Sequence, residues 1–255
     1  MSSQPPVLYP FQERAVEDLD SGKILCGGVG SGKSITSLFY FLKKECKHKI
    51  GSNSYGNTYR PINGSPDLYI ITTARKRDSG EWSDELVKFG LTTGKNTLMG
   101  GITVTVDSWN NIQKYADVED AFFIFDEQRV IGYGAWTKAF LKIAKHNRWI
   151  LLSATPGDTW SDYMPVFIAN GFYKNKRQFE QMHAVYSRWS KYPKIDKWIG
   201  EDRLTKIRNH ILITMERPKE TERETHVVTV GYDKNAFKGV FKDRWNPFTE
   251  EPIKN

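Results

Sequence analysis

One stretch near the N-terminus, Leu25-Cys26-Gly27-Gly28-Val29-Gly30-Ser31-Gly32-Lys33-Ser34, constrains this chain more than any other, because Gly27, Gly32, Lys33 and Ser34 satisfy the phosphate-loop pattern G-x-x-x-x-G-K-[ST]. Glycines at this density let the backbone turn its N–H groups inward onto an anion at the mouth of a helix. Gly28, Gly30, Ser31 and Gly32 would form the cradle. Lys33 would reach the β- and γ-phosphates of a triphosphate, and the Ser34 hydroxyl would ligate Mg²⁺. The flanks agree. Lys23-Ile24-Leu25-Cys26 predicts a strand entering the loop, and Ile35, Leu38, Phe39, Leu42 and Cys46 recur at helical spacing after it.

At 255 residues, with 39% hydrophobic and 13% aromatic side chains, the chain can build one large domain or one domain with an appendage. No apolar run approaches the length of a membrane span. Met1-Ser2-Ser3-Gln4-Pro5-Pro6 lacks the charged start and apolar stretch of a signal peptide, so a cytoplasmic protein with no membrane partner is expected. Cys26 and Cys46 fall in a predicted strand and a predicted helix and read as small buried thiols of a reducing compartment, with no disulfide or zinc site expected. Lys and Arg outnumber Asp and Glu by 37 to 30, a formal charge of +7. That balance suits a polyanion such as nucleic acid, or a plain solvated basic face.

Ahead of the loop, Pro10 stands at the first position of a predicted helix carrying Ala15, Val16 and Leu19. Gln12, near its start, has donors and acceptors that match N6 and N7 of adenine, which makes it the candidate adenine reader or else an exposed helix-start residue. Gly51 to Asp67, rich in Gly, Ser, Asn and Pro, reads as an insertion loop. Leu68 to Thr73 predicts a strand with Ala74-Arg75-Lys76-Arg77 at its carboxyl end, the edge at which parallel sheets bind ligands. Trp82, Leu86 and Phe89 share one helical face and read as core. Ile102 to Val106 predicts a strand leading to Asp107-Ser108-Trp109, with a helix expected from about Asn110. Phe122 to Glu127 is an apolar strand that closes on two acids. Asp126 can hold Mg²⁺ through its hydration shell while Glu127 polarises an attacking water, the division of labour that phosphoryl hydrolysis needs. After a helix marked by Trp136, Ala139, Phe140 and Ile143, the strand Trp149 to Leu152 delivers Ser153-Ala154-Thr155, whose hydroxyls can bond both the acidic pair and a moving neighbour.

In this order the motifs resemble the first motor lobe of superfamily 2 helicases and translocases, and most nearly its Swi/Snf-like branch. Gln12 is similar to the glutamine motif, Gly27 to Ser34 to motif I, Asp126-Glu127-Gln128-Arg129 to the DExx box, and Ser153-Ala154-Thr155 to motif III. Thr73 to Phe89 and Thr105 to Trp109 are similar to the segments around motifs Ia and Ib, and Ile213 to Lys219 to the basic segment before a second lobe. Glu222 to Val230 would be the strand leading out of the lobe. The resemblance implies an α/β fold, a RecA-like P-loop NTPase lobe with a parallel sheet flanked by helices, using ATP and Mg²⁺. It implies catalytic roles for Lys33, Asp126, Glu127, Gln128 and Arg129, a metal site at Ser34 and Asp126, and coupling through Ser153 and Thr155. It also implies nucleic acid, with DNA favoured, held through phosphate contacts at Thr73, Arg75, Lys76 and Ser108. The box departs from the DEAH subgroup in having Gln128 and Arg129 where that subgroup has Ala and His.

The expected division is a lobe over residues 1–160, a basic, aromatic helical appendage with a closing strand over 161–230, and a linker or tail over 231–255. No arginine-finger motif is recognisable, so a second RecA-like lobe is expected, in the same protein or on a separate chain, with slow turnover in its absence. Between Phe172 and Trp198, basic residues alternate with Tyr173, Tyr186, Trp189, Tyr192 and Trp198. These aromatics either pack the appendage, the favoured reading, or line a groove that follows a strand. Two other functions fit parts of the pattern. One is a phage-terminase-like packaging ATPase, although acids after Pro156 are scattered among basic residues; the other is a catalytically weak nucleic-acid-binding module, against which Lys33, Asp126 and Glu127 speak.

Overall fold

The computed structural model describes residues 6–47, 51–53, 56–58, 64–126, 133–216, 231, 233–246, 249 and 251–252. It divides the chain into two compact units, Met1–Arg217 and Pro218–Asn255, so neither sequence-based boundary, at 160 or at 230, coincides with the division. The first unit begins with α1 (Pro10–Asp18), β1 (Ile24–Gly27) and α2 (Lys33–Tyr40), which runs on into a π-wound turn at Phe41–Glu45. The expected insertion loop contains an antiparallel ribbon of β2 (Gly51–Asn53) and β3 (Gly56–Thr58). Next come β4 (Leu68–Thr72), α3 (Ala74–Ser79), α4 (Glu81–Val87), β5 (Gly94–Asn96) and β6 (Ile102–Ser108). The helix expected from about Asn110 is a 3₁₀ helix at Trp109–Tyr115, and leads to β7 (Phe122–Asp126), α5 (Ala135–His146), β8 (Arg148–Ser153) and α6 (Trp160–Ala169). The unit closes with α7 (Lys176–His183), β9 (Ala184–Tyr186), β10 (Ile195–Trp198), α8 (Glu201–Ile211) and β11 (Leu212–Met215). The second unit holds α9 (Lys234–Asp243) and an antiparallel pair, β12 (Trp245–Asn246) with β13 (Glu251–Pro252). The proposed closing strand Glu222 to Val230 lies outside the described residues.

Seven strands form one sheet in the order β11-β1-β8-β7-β4-β6-β5. All neighbours are parallel except the edge pair β5 and β6. A parallel sheet must be covered on both faces, and its inner strands therefore read as continuous apolar runs. β7 obeys this rule: Phe122 and Ile124 enter one core, Phe123 and Phe125 the other, and all are buried. The period-2 alternation repeats in β8, where Ile150 and Leu152 face the first core and Trp149 and Leu151 the second. The first core is closed by α1, α2 and α4 through Val16, Leu38, Trp82 and Leu86. The second is closed by α5, α6 and α8 through Phe140, Ile143, Phe167 and Leu204, so residues beyond 160 complete the lobe rather than hang from it.

Parallel pairing also puts the strand ends in line. Cys26 of β1 lies beside Ser153 of β8, Asp126 of β7 beside Leu152, and Ser108 of β6 beside Thr72 of β4. The residues singled out from sequence thus share the carboxyl edge of one sheet. Phe122, fully buried with its ring 5.5 Å from Phe41 and 5.8 Å from Tyr40, anchors that edge from below. Phe122→Ala is expected to lower unfolding stability by about 3–5 kcal/mol, read as a shifted urea midpoint at unchanged slope.

Candidate nucleotide site

Backbone geometry explains the glycines of the loop between β1 and α2. Gly32 sits at φ +81°, where a Cβ would stand 2.3 Å from Gln12 Nε2, and a Cβ on Gly27 would stand 2.5 Å from Ser31 Oγ. Gly28 and Gly30 have open space around them, and Val29 between them is exposed. Lys33 folds back so that its ammonium donates to the carbonyls of Gly27 (2.6 Å) and Gly28 (3.0 Å). Gln12 is buried beneath the loop: Nε2 donates to the Ser31 carbonyl (2.9 Å), and Oε1 accepts the Tyr9 N–H (2.9 Å). It therefore braces the loop against α1 instead of standing exposed at a helix start. The brace uses one amide hydrogen and one lone pair, and an amide has a second of each.

Asp126, at the end of β7, is 1% exposed. Its Oδ2 accepts from Thr72 Oγ1 (2.9 Å), Trp82 Nε1 (2.9 Å) and Lys76 Nζ (3.2 Å), while its backbone carbonyl accepts from Trp109 Nε1 (3.0 Å). Lys76, Trp82 and Ser34, the second residue of α2, together line a cleft of about 280 Å³. Ser34 thus shares a cleft with two of the side chains that hold the strand-end acid. Glu127, Gln128 and Arg129 lie outside the described residues. Ser153 is buried, its Oγ accepting the Thr155 N–H (3.1 Å), and Thr155 is exposed.

The residues expected along a nucleic-acid strand separate into two groups. Thr73 caps α3, accepting the Lys76 N–H (3.3 Å), and Arg75 on the same helix is exposed. Lys76, by contrast, points at Asp126, and Ser108 is 1% exposed with its hydroxyl accepting from Arg77 Nη1 (3.3 Å), so neither presents the surface contact expected of it. Spacing accounts for the difference: Lys76 lies four residues beyond Thr72, within the first turn of α3, and returns to the acid that Thr72 already holds. Trp82, read from sequence first as core, does pack in the core, and its indole N–H also fixes the acid. The usable signal was the indole itself, which needs an acceptor when buried.

Beside this site, Asp107 gathers the Ser108 amide (2.7 Å), Asn111 Nδ2 (2.8 Å), Tyr115 Oη (2.7 Å) and Arg77 Nη1 (3.1 Å). Burial pushes its carboxyl up, but these donors outweigh burial and hold it down at about 2. Burial and the Asp107 carboxylate push the Tyr115 phenol above its ordinary range. The knot fixes the end of β6 onto the following 3₁₀ helix.

A largely parallel sheet with a glycine-rich loop after β1 and a buried acid ending β7 belongs to the RecA-like class of α/β lobes. No protein-family model and no curated protein matches the chain. Among solved structures, the Sulfolobus solfataricus SWI2/SNF2 ATPase core in complex with dsDNA shares the fold, with a TM-score of 0.60 at 15% identity over 83% of this chain and 45% of that one. The Sulfolobus solfataricus SWI2/SNF2 ATPase core domain does so with a TM-score of 0.56 at 15% identity, over 86% of this chain and 45% of that one. The chain therefore shares the fold of part of these ATPase cores and spans under half their length. Among the described residues, no helix is long and apolar enough to cross a membrane.

Trp82→Phe keeps a ring in the core but removes a donor from the buried acid, and is expected to cost about 1.5–3 kcal/mol in urea unfolding. Asp107 gives a pH signature. Its folded value of about 2 lies below the unfolded one, so its stabilisation is complete above about pH 4 and is lost as the pH falls towards 2. Acid titration of unfolding should show a loss of about 2 kcal/mol across that window that Asp107→Asn lacks.

Proposed function

We propose that this chain is the ATP-binding and hydrolysing lobe of a nucleic-acid motor of the superfamily 2, Swi/Snf-like kind, acting on DNA. The observation that carries the reading is the shared cleft, in which Ser34 of the loop meets Lys76 and Trp82, both bonded to Asp126. The loop suits a triphosphate on its own features. Ser31 Oγ is buried without a partner among the described residues, α2 starts at Lys33 directly after the loop so that its first amides have no acceptor within the helix, and Lys33 can exchange the loop carbonyls for phosphate oxygens. Ser34 and Asp126 would hold magnesium, which when bound neutralises charge developing on the phosphates.

In this reading Gly28, Gly30, Ser31 and Gly32 wrap the phosphates, and Gln12 turns its second hydrogen and lone pair to adenine. Glu127 orients the attacking water and accepts its proton as the γ-phosphoryl bond breaks to give ADP and phosphate. Gln128 and Arg129 complete the box, and Ser153 with Thr155 passes the change at the acids to a second lobe. Thr73 and Arg75 are the phosphate contacts for the strand. The support for DNA is the fold shared with a core that was solved on dsDNA.

Glu127→Gln should retain ATP binding by calorimetry and lose turnover. A variant that hydrolyses ATP like the parent would remove Glu127 from the reaction. In this reading the chain by itself turns over about 10³- to 10⁵-fold more slowly than when a second lobe brings an arginine to the γ-phosphate, and duplex DNA stimulates it more than single-stranded DNA or RNA.

A further inference from the structure

The segment from Phe172 to Trp198 divides into an anchored root and a bare tip. At the root, Tyr173 Oη lies 2.7 Å from His183 Nε2, and His183 Nδ1 lies 2.8 Å from the Ile199 carbonyl. A carbonyl only accepts, so the imidazole donates from Nδ1–H to Ile199, and Nε2 accepts the hydrogen bond of the Tyr173 hydroxyl. His183 and Tyr173 are buried, and Phe179 packs with its ring 5.6 Å from that of Trp198. These contacts hold both strands of the β9–β10 hairpin at its base.

The tip is the reverse. Between Ser187, whose N–H closes the turn onto the Lys194 carbonyl (2.9 Å), and Lys194 itself, Trp189 is 96% exposed and Tyr192 73% exposed. Arg188, Lys191 and Lys194 around them are exposed, and no acid occurs between 187 and 194. Two solvent-facing aromatic rings among three cations on an anchored hairpin match a ligand that offers flat apolar faces beside negative charges. Unpaired nucleotides have both; the bases of an intact duplex are already stacked on one another and offer only phosphates.

We propose that the tip of the β9–β10 hairpin is a binding element for single-stranded nucleic acid, with Trp189 and Tyr192 stacking on unpaired bases while Arg188, Lys191 and Lys194 meet the phosphates. The inference rests on the motor reading for the chemical class of the partner and adds the form of strand it engages. It places unpaired nucleotides at the flank of a lobe whose nucleotide cleft lies elsewhere.

The test measures fluorescence anisotropy of a labelled oligothymidine and of a labelled blunt duplex with the full chain at low salt. Trp189→Ala with Tyr192→Ala is expected to weaken oligothymidine binding by about tenfold for each ring removed. Trp189→Phe with Tyr192→Phe should restore most of it, and duplex affinity and ATP binding should stay as in the parent. Lys191→Ala should lower the slope of log affinity against log salt by about 0.7 for the oligothymidine. Oligothymidine binding unaffected by the alanine pair, or an equal loss on duplex, would overturn the proposal. A parent chain that binds duplex but not oligothymidine would overturn it and leave the motor reading intact, whereas binding of neither would remove the nucleic-acid partner from both.

Discussion

The clamp on Asp126 is the interaction on which the rest of this lobe depends. A carboxylate removed from water costs several kcal/mol unless its charge is met, and here a lysine, a threonine hydroxyl and an indole converge on one of its oxygens. The donors come from three places in the chain: Thr72 from the neighbouring strand, Lys76 from α3 and Trp82 from α4. Trp109 adds a fourth from the opposite face of the sheet, through the backbone carbonyl. Because Trp82 belongs to the first core and Trp109 to the second, one strand end is tied to both hydrophobic layers. Movement of either layer against the sheet would have to break a buried hydrogen bond to that end.

The clamp also settles how charge is divided along the carboxyl edge. Two acids lie there a short way apart, Asp126 on β7 and Asp107 on β6, and successive basic residues of α3 are shared between them. Lys76 goes to Asp126 and Arg77 to Asp107. Consecutive helix positions are about 100° apart, so adjacent cations can serve acids on two different strands. That leaves Arg75, on the remaining side of α3, as the member of the basic run turned to solvent. A cluster that sequence presents as a single patch is therefore three separate devices.

Much of the architecture was legible because periodicity survives in the sequence. The apolar runs ending at Cys26, Thr72, Val106, Phe125 and Leu152 all became neighbouring parallel strands, and the resemblance to a RecA-like lobe agrees with the fold. What could not be read was decided by long-range pairing. β11 pairs with β1 across the whole length of the lobe, and nothing local to Leu212–Met215 announces that edge. The tyrosines and tryptophans between 172 and 198 were similarly undecidable: Tyr173 and Trp198 went to packing, Trp189 and Tyr192 to solvent, and composition is the same on both sides of that division. At the candidate site, residue types were visible but not directions. Lys76 and Ser108 looked like surface groups because neither spacing nor propensity records that an acid lies buried one strand away.

The phosphate loop shows why such directions matter energetically. Lys33 and Gln12 hold it from opposite sides, the lysine through the carbonyls of Gly27 and Gly28 and the glutamine through that of Ser31. The Ser31 amide closes the turn by donating to the Gly28 carbonyl (3.2 Å), so three bonds from side chains and one from the backbone set the loop's shape. A loop held in one conformation does not spend binding energy on ordering itself. The two supports differ in charge. Gln12 is buried and joins a neutral amide to a neutral carbonyl, whereas the Lys33 ammonium sets a full charge against carbonyl dipoles, so an anion would offer it a stronger hydrogen bond than the ones it makes here. The glutamine thus braces the loop against α1, and the lysine is the support that an anion would draw away.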